Sequence, residues 1–251
     1  DKKSDEIIVS IRELMKTFKI STYDEKSGTG FLRHVLVRRA FKTGEIMVVL
    51  AAGTPILPHK NEFIKKLLER HTQIKTIVIN IADGKENLVL GEREIVLYGD
   101  GYIEDVLCGH RFRISSKSFY QINPQQTEVL YKKALELAAL TGKETVVDAY
   151  CGIGTIGLIA ADKSKNVIAV EVNKQAVKDA IVNARLNKAN NIRFYNEDAG
   201  EFMVKMAQEG MKADVLFMDP PRAGASKEFL KSALELSDKK ITISGVIFGD
   251  D

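Results

Sequence analysis

The sequence predicts an α/β protein, with a parallel, doubly wound sheet in its C-terminal half and a smaller α+β part before it. Three observations predict this. From Lys143 onward, strand-like apolar runs alternate steadily with helical patterns, as parallel strands and their crossover helices do. Val146-Val147 and Val215-Leu216-Phe217-Met218 are apolar on both faces, which a sheet covered on both sides requires. The run ending at Asp148 opens into a glycine-rich turn, Tyr150-Cys151-Gly152-Ile153-Gly154, and then into a helical pattern from Thr155. The boundary is placed so that residues 1–115 form the α+β domain and 116–251 the parallel-sheet domain.

The elements follow in order. Ile7 to Phe18 carries Ile8, Ile11, Leu14, Met15 and Phe18 at helical spacing, an amphipathic helix. Phe31 to Ala40 and Ile46 to Ala52 are β-rich runs around Phe41-Lys42-Thr43-Gly44-Glu45, a hairpin. Asn61 to His71 is a second helix after Pro58, and Ile74 to Ile81 is strand-like. Glu94 to Leu97 and Gly101 to Leu107 continue the β pattern. A helix runs from Pro124, which suits a first turn, to about Leu140, with Gly142 suited to its end. Strands then lie near 144–149, 166–171, 191–195 and 213–218, and helices near 155–162, 174–188, 199–209 and 226–237.

The bulk numbers set bounds. With 251 residues and 45% hydrophobic content, the chain has ample material for one large or two small cores. Lys and Arg number 37 against 34 acids, a net charge of +3. That balance does not announce nucleic acid, but it permits a local basic face. Cys108 and Cys151 lie far apart, form no metal-ligand spacing and fit a reduced, cytoplasmic setting. No secretory pattern opens the chain and no apolar run reaches membrane-spanning length. The first residue is not Met, so a piece of a longer protein is expected.

The glycine turn makes a floor for a nucleotide-like ligand at the carboxyl end of a parallel strand. Gly152 and Gly154 let backbone approach the ligand, and Gly157 lets the helix pack close to the strand. The spacing Gly152-x-Gly154-x-x-Gly157 also fits a dinucleotide fingerprint, so alone it is ambiguous. Acids after three further strands favour a different ligand. Glu171 could accept ribose hydroxyls, Glu197-Asp198 could meet an adenine amino group, and Asp219 opens Asp219-Pro220-Pro221-Arg222. This set suits S-adenosylmethionine, which has a ribose, an adenine and a cationic end but no pyrophosphate for a helix N-terminus.

Two clusters carry cations: Arg33, His34, Arg38 and Arg39 on the first hairpin strand, and His110-Arg111-Phe112-Arg113. One reading is a surface that contacts phosphates and stacks bases. The other is the solvated face of amphipathic strands.

Together these residues resemble the RNA (uracil-5-)-methyltransferase family. The resemblance rests on Phe112-Arg113-Ile114-Ser115-Ser116-Lys117-Ser118-Phe119-Tyr120-Gln121-Ile122-Asn123, Asp148 to Thr155, Glu171 and Asp219-Pro220-Pro221-Arg222, and covers about the last two-thirds of the chain. It implies a Rossmann-like class I S-adenosylmethionine-dependent methyltransferase domain behind an RNA-facing α+β domain. It implies methylation of carbon 5 of uridine in RNA, 23S ribosomal RNA above transfer RNA. Gln121, Tyr150, Glu171 and Asp219 are then cofactor contacts, joined by Gly152, Gly154 and Asp198. Arg33, Arg38, Arg39, Arg111, Arg113 and Arg222 are then RNA contacts. Arg222 also stands where amine methyltransferases usually carry an aromatic, which disfavours an exocyclic amine as target.

The family works through a cysteine thiolate that adds to carbon 6 of the base. Its nucleophile lies in a Cys-Asn-Pro-like segment past the strand that follows the Asp-Pro-Pro-Arg helix, and its base is a later Glu. Lys240 to Asp251 holds no cysteine. Cys151 and Cys108 read as packing residues. The catalytic residues are therefore unassigned, and the chain is expected to bind cofactor without methylating uridine. The family's small β-barrel and four-cysteine iron-sulfur site are not in this sequence, and no metal is expected. Three alternatives stay open: transfer to another RNA atom, an NAD-dependent oxidoreductase, and a non-catalytic RNA-binding module.

Overall fold

The computed structural model describes residues 2–82, 89–220 and 224–243, with 237–243 given by backbone alone. The chain divides into two compact units: Asp1–Asp105 with Ser115–Lys117, and Val106–Ile114 with Ser118–Asp251. The sequence boundary at 115/116 differs from this division at residues 106–114, for a local reason given below, and at 116–117.

The first unit contains helix α1 (Lys2–Thr17), strands β1 (Leu32–Arg39) and β2 (Ile46–Ala52), helix α2 (Lys60–Arg70), and strands β3 (Ile74–Ile81) and β4 (Arg93–Tyr98). Its sheet runs β1-β2-β3-β4. β1 and β2 form the expected hairpin, antiparallel from Arg39↔Ile46, and β2 lies parallel to β3 across the α2 crossover. Ile7, Ile11 and Leu14 of α1 and Phe63 and Leu67 of α2 pack with Ile46, Val48 and Leu50 of β2 in one buried cluster. α1 starts five residues before the expected Ile7, on polar turns that apolar periodicity does not register. One polar residue of that helix is buried too: Ser10 Oγ lies 2.8 Å from His71 Nε2.

Strand β5 (Tyr102–Leu107) leads from one unit to the other and pairs with β6 (His110–Ser115). The second unit continues with α3 (Pro124–Ala138), β7 (Thr145–Ala149), α4 (Thr155–Ala161), β8 (Asn166–Val170), α5 (Lys174–Leu186), β9 (Ile192–Tyr195), α6 (Ala199–Gln208), β10 (Ala213–Met218), α7 (Lys227–Leu236) and β11 (Ser237–Ile243). The strand order is β11-β10-β7-β8-β9, every pair parallel. The chain winds outward from β7 to β9 and returns to β10 on the other side. This doubly wound, Rossmann-like order places a crevice at the carboxyl ends of β7 and β10.

Asn183 of α5 and Asn187, which caps that helix, explain why β6 belongs to the second unit. Asn183 Oδ1 accepts from Arg113 N at 2.7 Å, and Asn187 Oδ1 accepts from Arg111 N at 2.9 Å. Their Nδ2 groups donate back to Arg113 O and Arg111 O. Side chains four apart on a helix thus pair with alternate residues of a strand. α3 ends at Ala139 in the left-handed region, not at Gly142. Gly142 instead donates its N–H to Lys163 O at 2.9 Å in the following loop.

Candidate functional site

β7 ends at Ala149 and the chain turns at once. Tyr150, Gly152 and Gly154 take positive φ of 65°, 56° and 82°. Glycine adopts this freely, but for Tyr150 the conformation costs on the order of 1–3 kcal/mol and persists only when surroundings hold it. Here they do. Cys151 N donates to Val170 O at 2.9 Å, Gly154 N to Cys151 O at 2.8 Å and Gly152 N to Glu171 Oε2 at 2.9 Å. The Tyr150 ring lies 5.5 Å from that of Phe229.

The turn borders a cleft of about 470 Å³, its open mouth included. Gln121, Tyr150, Gly152 and Asp219 line it together, so four expected cofactor residues from three separate stretches meet at one place. A Cβ added to Gly152 would meet nothing within 4 Å, so backbone is exposed to open space there. Gly154, Glu171 and Asp198 stand off the lining. Gly154 backs onto Phe194, 3.1 Å from an added Cβ. Glu171 accepts Gly152 N with one oxygen and Asn173 N with the other, at 2.9 and 2.8 Å. Asp198 caps α6, its Oδ1 accepting from Gly200 N and Glu201 N.

The site is acidic. Asp148 is buried at 2% exposure, and its Oδ2 accepts Gly157 N at 2.9 Å. Burial pushes its pKa up to about 8, with the Asp219 and Glu171 charges adding to the rise against the Gly157 hydrogen bond. Burial also raises Asp219. Burial raises the Tyr150 phenol, and the Asp198 charge adds to this. Asp148, raised to about 8, keeps its proton near neutral pH, so within the lining Asp219 is the acid that faces a cationic occupant.

Sequence reasoning passed over Asp148, Thr155 and Tyr131, all in the lining. Tyr131 Oη lies 2.9 Å from Thr155 Oγ1, and burial holds the phenol above its ordinary value. An acid inside an apolar strand was the available signal for Asp148. Nothing in the α3 pattern singles out Tyr131.

The cationic residues separate. The Arg33 side chain is largely enclosed, 8% exposed. It donates to Glu25 Oε1 at 2.7 and 3.1 Å and to Ala82 O at 3.1 Å, and lies 4.9 Å over the Tyr23 ring. It fits neither the phosphate-facing nor the solvated-face reading, because it sits at the register irregularity between Leu32 and His34, where Glu25, Ala82 O and Tyr23 take up its guanidinium. Arg38 is half-buried, and that burial lowers its pKa against the opposing Glu94 charge. Arg39 and Arg111 are exposed and Arg113 is half-buried. Arg222 lies outside the described residues. Cys151 is buried, and burial raises its thiol well above the ordinary value, with Asp148 and Glu171 adding. Among the described residues no three His, Cys, Asp or Glu side chains are grouped to hold a metal, and no helix is long and apolar enough to cross a membrane.

The sequence model of the tRNA (uracil-5-)-methyltransferase family matches residues 44–244, which takes in the glycine turn, the cleft and the β10 end. The chain belongs to that family. A protein described as an uncharacterised RNA methyltransferase of Clostridium acetobutylicum is 45% identical over 241 residues, 96% of this chain and 52% of that one. Another so described, of Enterococcus faecalis, is 43% identical over 241 residues, with 96% and 53% covered. The chain thus spans about half the length of the curated relatives it matches. The crystal structure of Pyrococcus abyssi tRNA (uracil-54, C5)-methyltransferase in complex with S-adenosyl-L-homocysteine superposes with a TM-score of 0.77 at 27% identity, covering 93% of this chain and 55% of that one. The fold is that of a Rossmann-like, class I S-adenosylmethionine-dependent methyltransferase domain with an α+β unit ahead of it.

Proposed function

We propose that the chain binds S-adenosylmethionine in the β7–β10 cleft and belongs to an enzyme that methylates carbon 5 of uridine in RNA, with 23S ribosomal RNA as its substrate. The observation that carries this reading is the convergence of Gln121, Tyr150, Gly152 and Asp219 on one cleft. Family membership favours it over the dinucleotide oxidoreductase that the glycine spacing alone left open.

The residues present fit the cofactor. Asp219 offers an exposed carboxylate for the methionine ammonium. Glu171 is fixed by two backbone N–H groups, and its oxygens have further lone pairs for the ribose hydroxyls. Tyr150 is anchored on Phe229 and walls the cleft with its other side. Gln121 supplies a donor and an acceptor. Asp198 stands close enough to Tyr150 to act on its phenol, on the side proposed for adenine. When bound, S-adenosylmethionine supplies an electrophilic methyl group.

Carbon 5 of uracil needs activation by a thiolate at carbon 6. Cys151 is buried, its Sγ lies 3.7 Å from Gly152 O, and its thiol resists ionisation. Cys108 sits at a turn with φ 49°, its N–H donating to Glu128. Neither is assigned as nucleophile; the thiolate comes from a cysteine elsewhere in the full-length protein. Arg39, Arg111 and Arg113 are the proposed phosphate contacts, and the setting is the cytoplasm. Titration of the chain with S-adenosylhomocysteine and with NADH tests the cofactor: the first should bind and the second should not, and the reverse overturns the reading.

A further inference from the structure

The parallel sheet has a second end, where its strands begin. The loops entering β9, β8, β7 and β10 lie side by side there, because those strands are neighbours in that order. Each loop brings a cation. Lys143 precedes β7, Lys163 and Lys165 precede β8, Lys188 precedes β9 and Lys212 precedes β10, while Arg193 lies on β9; all are exposed. The whole chain has a net charge of only +3, so this row is a local excess.

The rim is built rather than loose. Gly142 N donates to Lys163 O at 2.9 Å, Lys165 N to Glu144 O at 2.8 Å and Val167 N to Asn191 O at 2.8 Å. Asn191 Nδ2 donates to Ala161 O and Ser164 O at 2.9 and 3.0 Å. Three acids stand among these six cations, oriented by hydrogen bonds but still charged, so the cations outnumber them rather than stand alone. Glu144 accepts from Thr141 N, Thr141 Oγ1, Gly142 N and Lys143 N. Asp214 Oδ2 accepts from Thr145 N, and Asp162 Oδ1 faces His110 Nε2 at 3.3 Å. Among the described residues Lys143, Lys163, Lys165, Lys188 and Arg193 have no side-chain hydrogen bond or ion pair. Beside them opens a groove of about 930 Å³, mouth included, lined by Asn166, Asn190, Arg193 and Tyr195.

Strands about 4.8 Å apart spread these cations over ~15 Å, wide enough to meet several phosphates of an RNA strand. Amide side chains can read base edges as donor and acceptor. We propose that this rim is a second RNA surface, which grips the phosphodiester backbone of the substrate RNA away from the reacting nucleotide. It lies at the opposite end of the strands from the cofactor cleft. The proposal rests on the reading of the enzyme as one that acts on RNA.

The test compares the chain with a variant carrying Lys143→Gln, Lys163→Gln, Lys165→Gln, Lys188→Gln and Arg193→Gln. Poly(U) affinity is measured across a salt series, polyglutamate is run as a polyanion without bases, and S-adenosylhomocysteine binding reports the cleft. The variant should bind S-adenosylhomocysteine like the parent, while its log–log salt slope for poly(U) falls by about 0.7 per lost contact. If the five changes prevent folding, Lys188→Gln with Arg193→Gln should show a smaller drop of the same kind. An unchanged slope, no poly(U) binding by the parent, or equal binding of polyglutamate overturns the rim proposal. Loss of S-adenosylhomocysteine binding in the parent would instead overturn the cofactor reading.

Discussion

Gly157 N donates to Asp148 Oδ2 at 2.9 Å, closing the turn that joins β7 to α4. A Cβ at position 157 would stand 2.7 Å from that same oxygen and 3.3 Å from Ile192 Cδ1. The third glycine of the turn is therefore required by closeness, not by dihedral angle. Gly157→Ala should lower stability by about 1–3 kcal/mol through overpacking. Urea denaturation reads this as a lower midpoint; a midpoint equal to the parent's would mean the helix can retreat at no cost.

Asp148 also makes stability depend on pH. Its pKa rises from 3.8 to about 8 on folding, so the native state keeps a proton that the unfolded chain releases. With fewer protons bound in the unfolded state, stability must fall as pH rises through that window, by at most about 1.4 kcal/mol per pH unit, and level off above it. Asp219, raised in the same direction, adds to the fall. Asp148→Asn should flatten the dependence and leave the Asp219 part. Denaturation midpoints at pH 5 and pH 8 check this, and parallel profiles for variant and parent would refute it.

Much of this was legible in the sequence. Two-faced apolar strands and one glycine turn were enough to place β7 to β10 and their helices within a residue or two. That Tyr150 and Asp219 meet at one cleft was legible because a strand's carboxyl end fixes where its next residue goes. Arg33 was not, since a run of cations hides which faces inward; only the packing on Tyr23 and Glu25 reveals it. Nor was the placement of β6. It depends on Asn183 and Asn187, whose amides look like ordinary helix-surface residues until a strand is laid beside them.

Asn183 is fully buried and ties β6 to the glycine turn, its Nδ2 donating to Ile153 O at 3.2 Å while Oδ1 accepts Arg113 N. Asn183→Ala should leave buried backbone groups without partners, at about 1–3 kcal/mol each. It should weaken S-adenosylhomocysteine as well as stability. Hydrogen exchange at the Arg113 amide is the local readout, and parental protection there would contradict the assigned role.

The thiol assignments predict a negative result. With RNA containing 5-fluorouridine and S-adenosylmethionine, this chain should form no denaturation-resistant adduct. A longer protein that supplies a cysteine after the β11 strand should form one. An adduct from the present chain that disappears in Cys151→Ser would make Cys151 the nucleophile.

The most direct measurement is a calorimetric titration of S-adenosylhomocysteine into the parent chain, Glu171→Ala and Asp219→Ala. The parent should bind one equivalent, and each variant should lose about 1–3 kcal/mol as its hydrogen bonds to the ligand are removed. Parental affinity in both variants, or no heat from the parent, would contradict a cofactor site at the β7–β10 crevice.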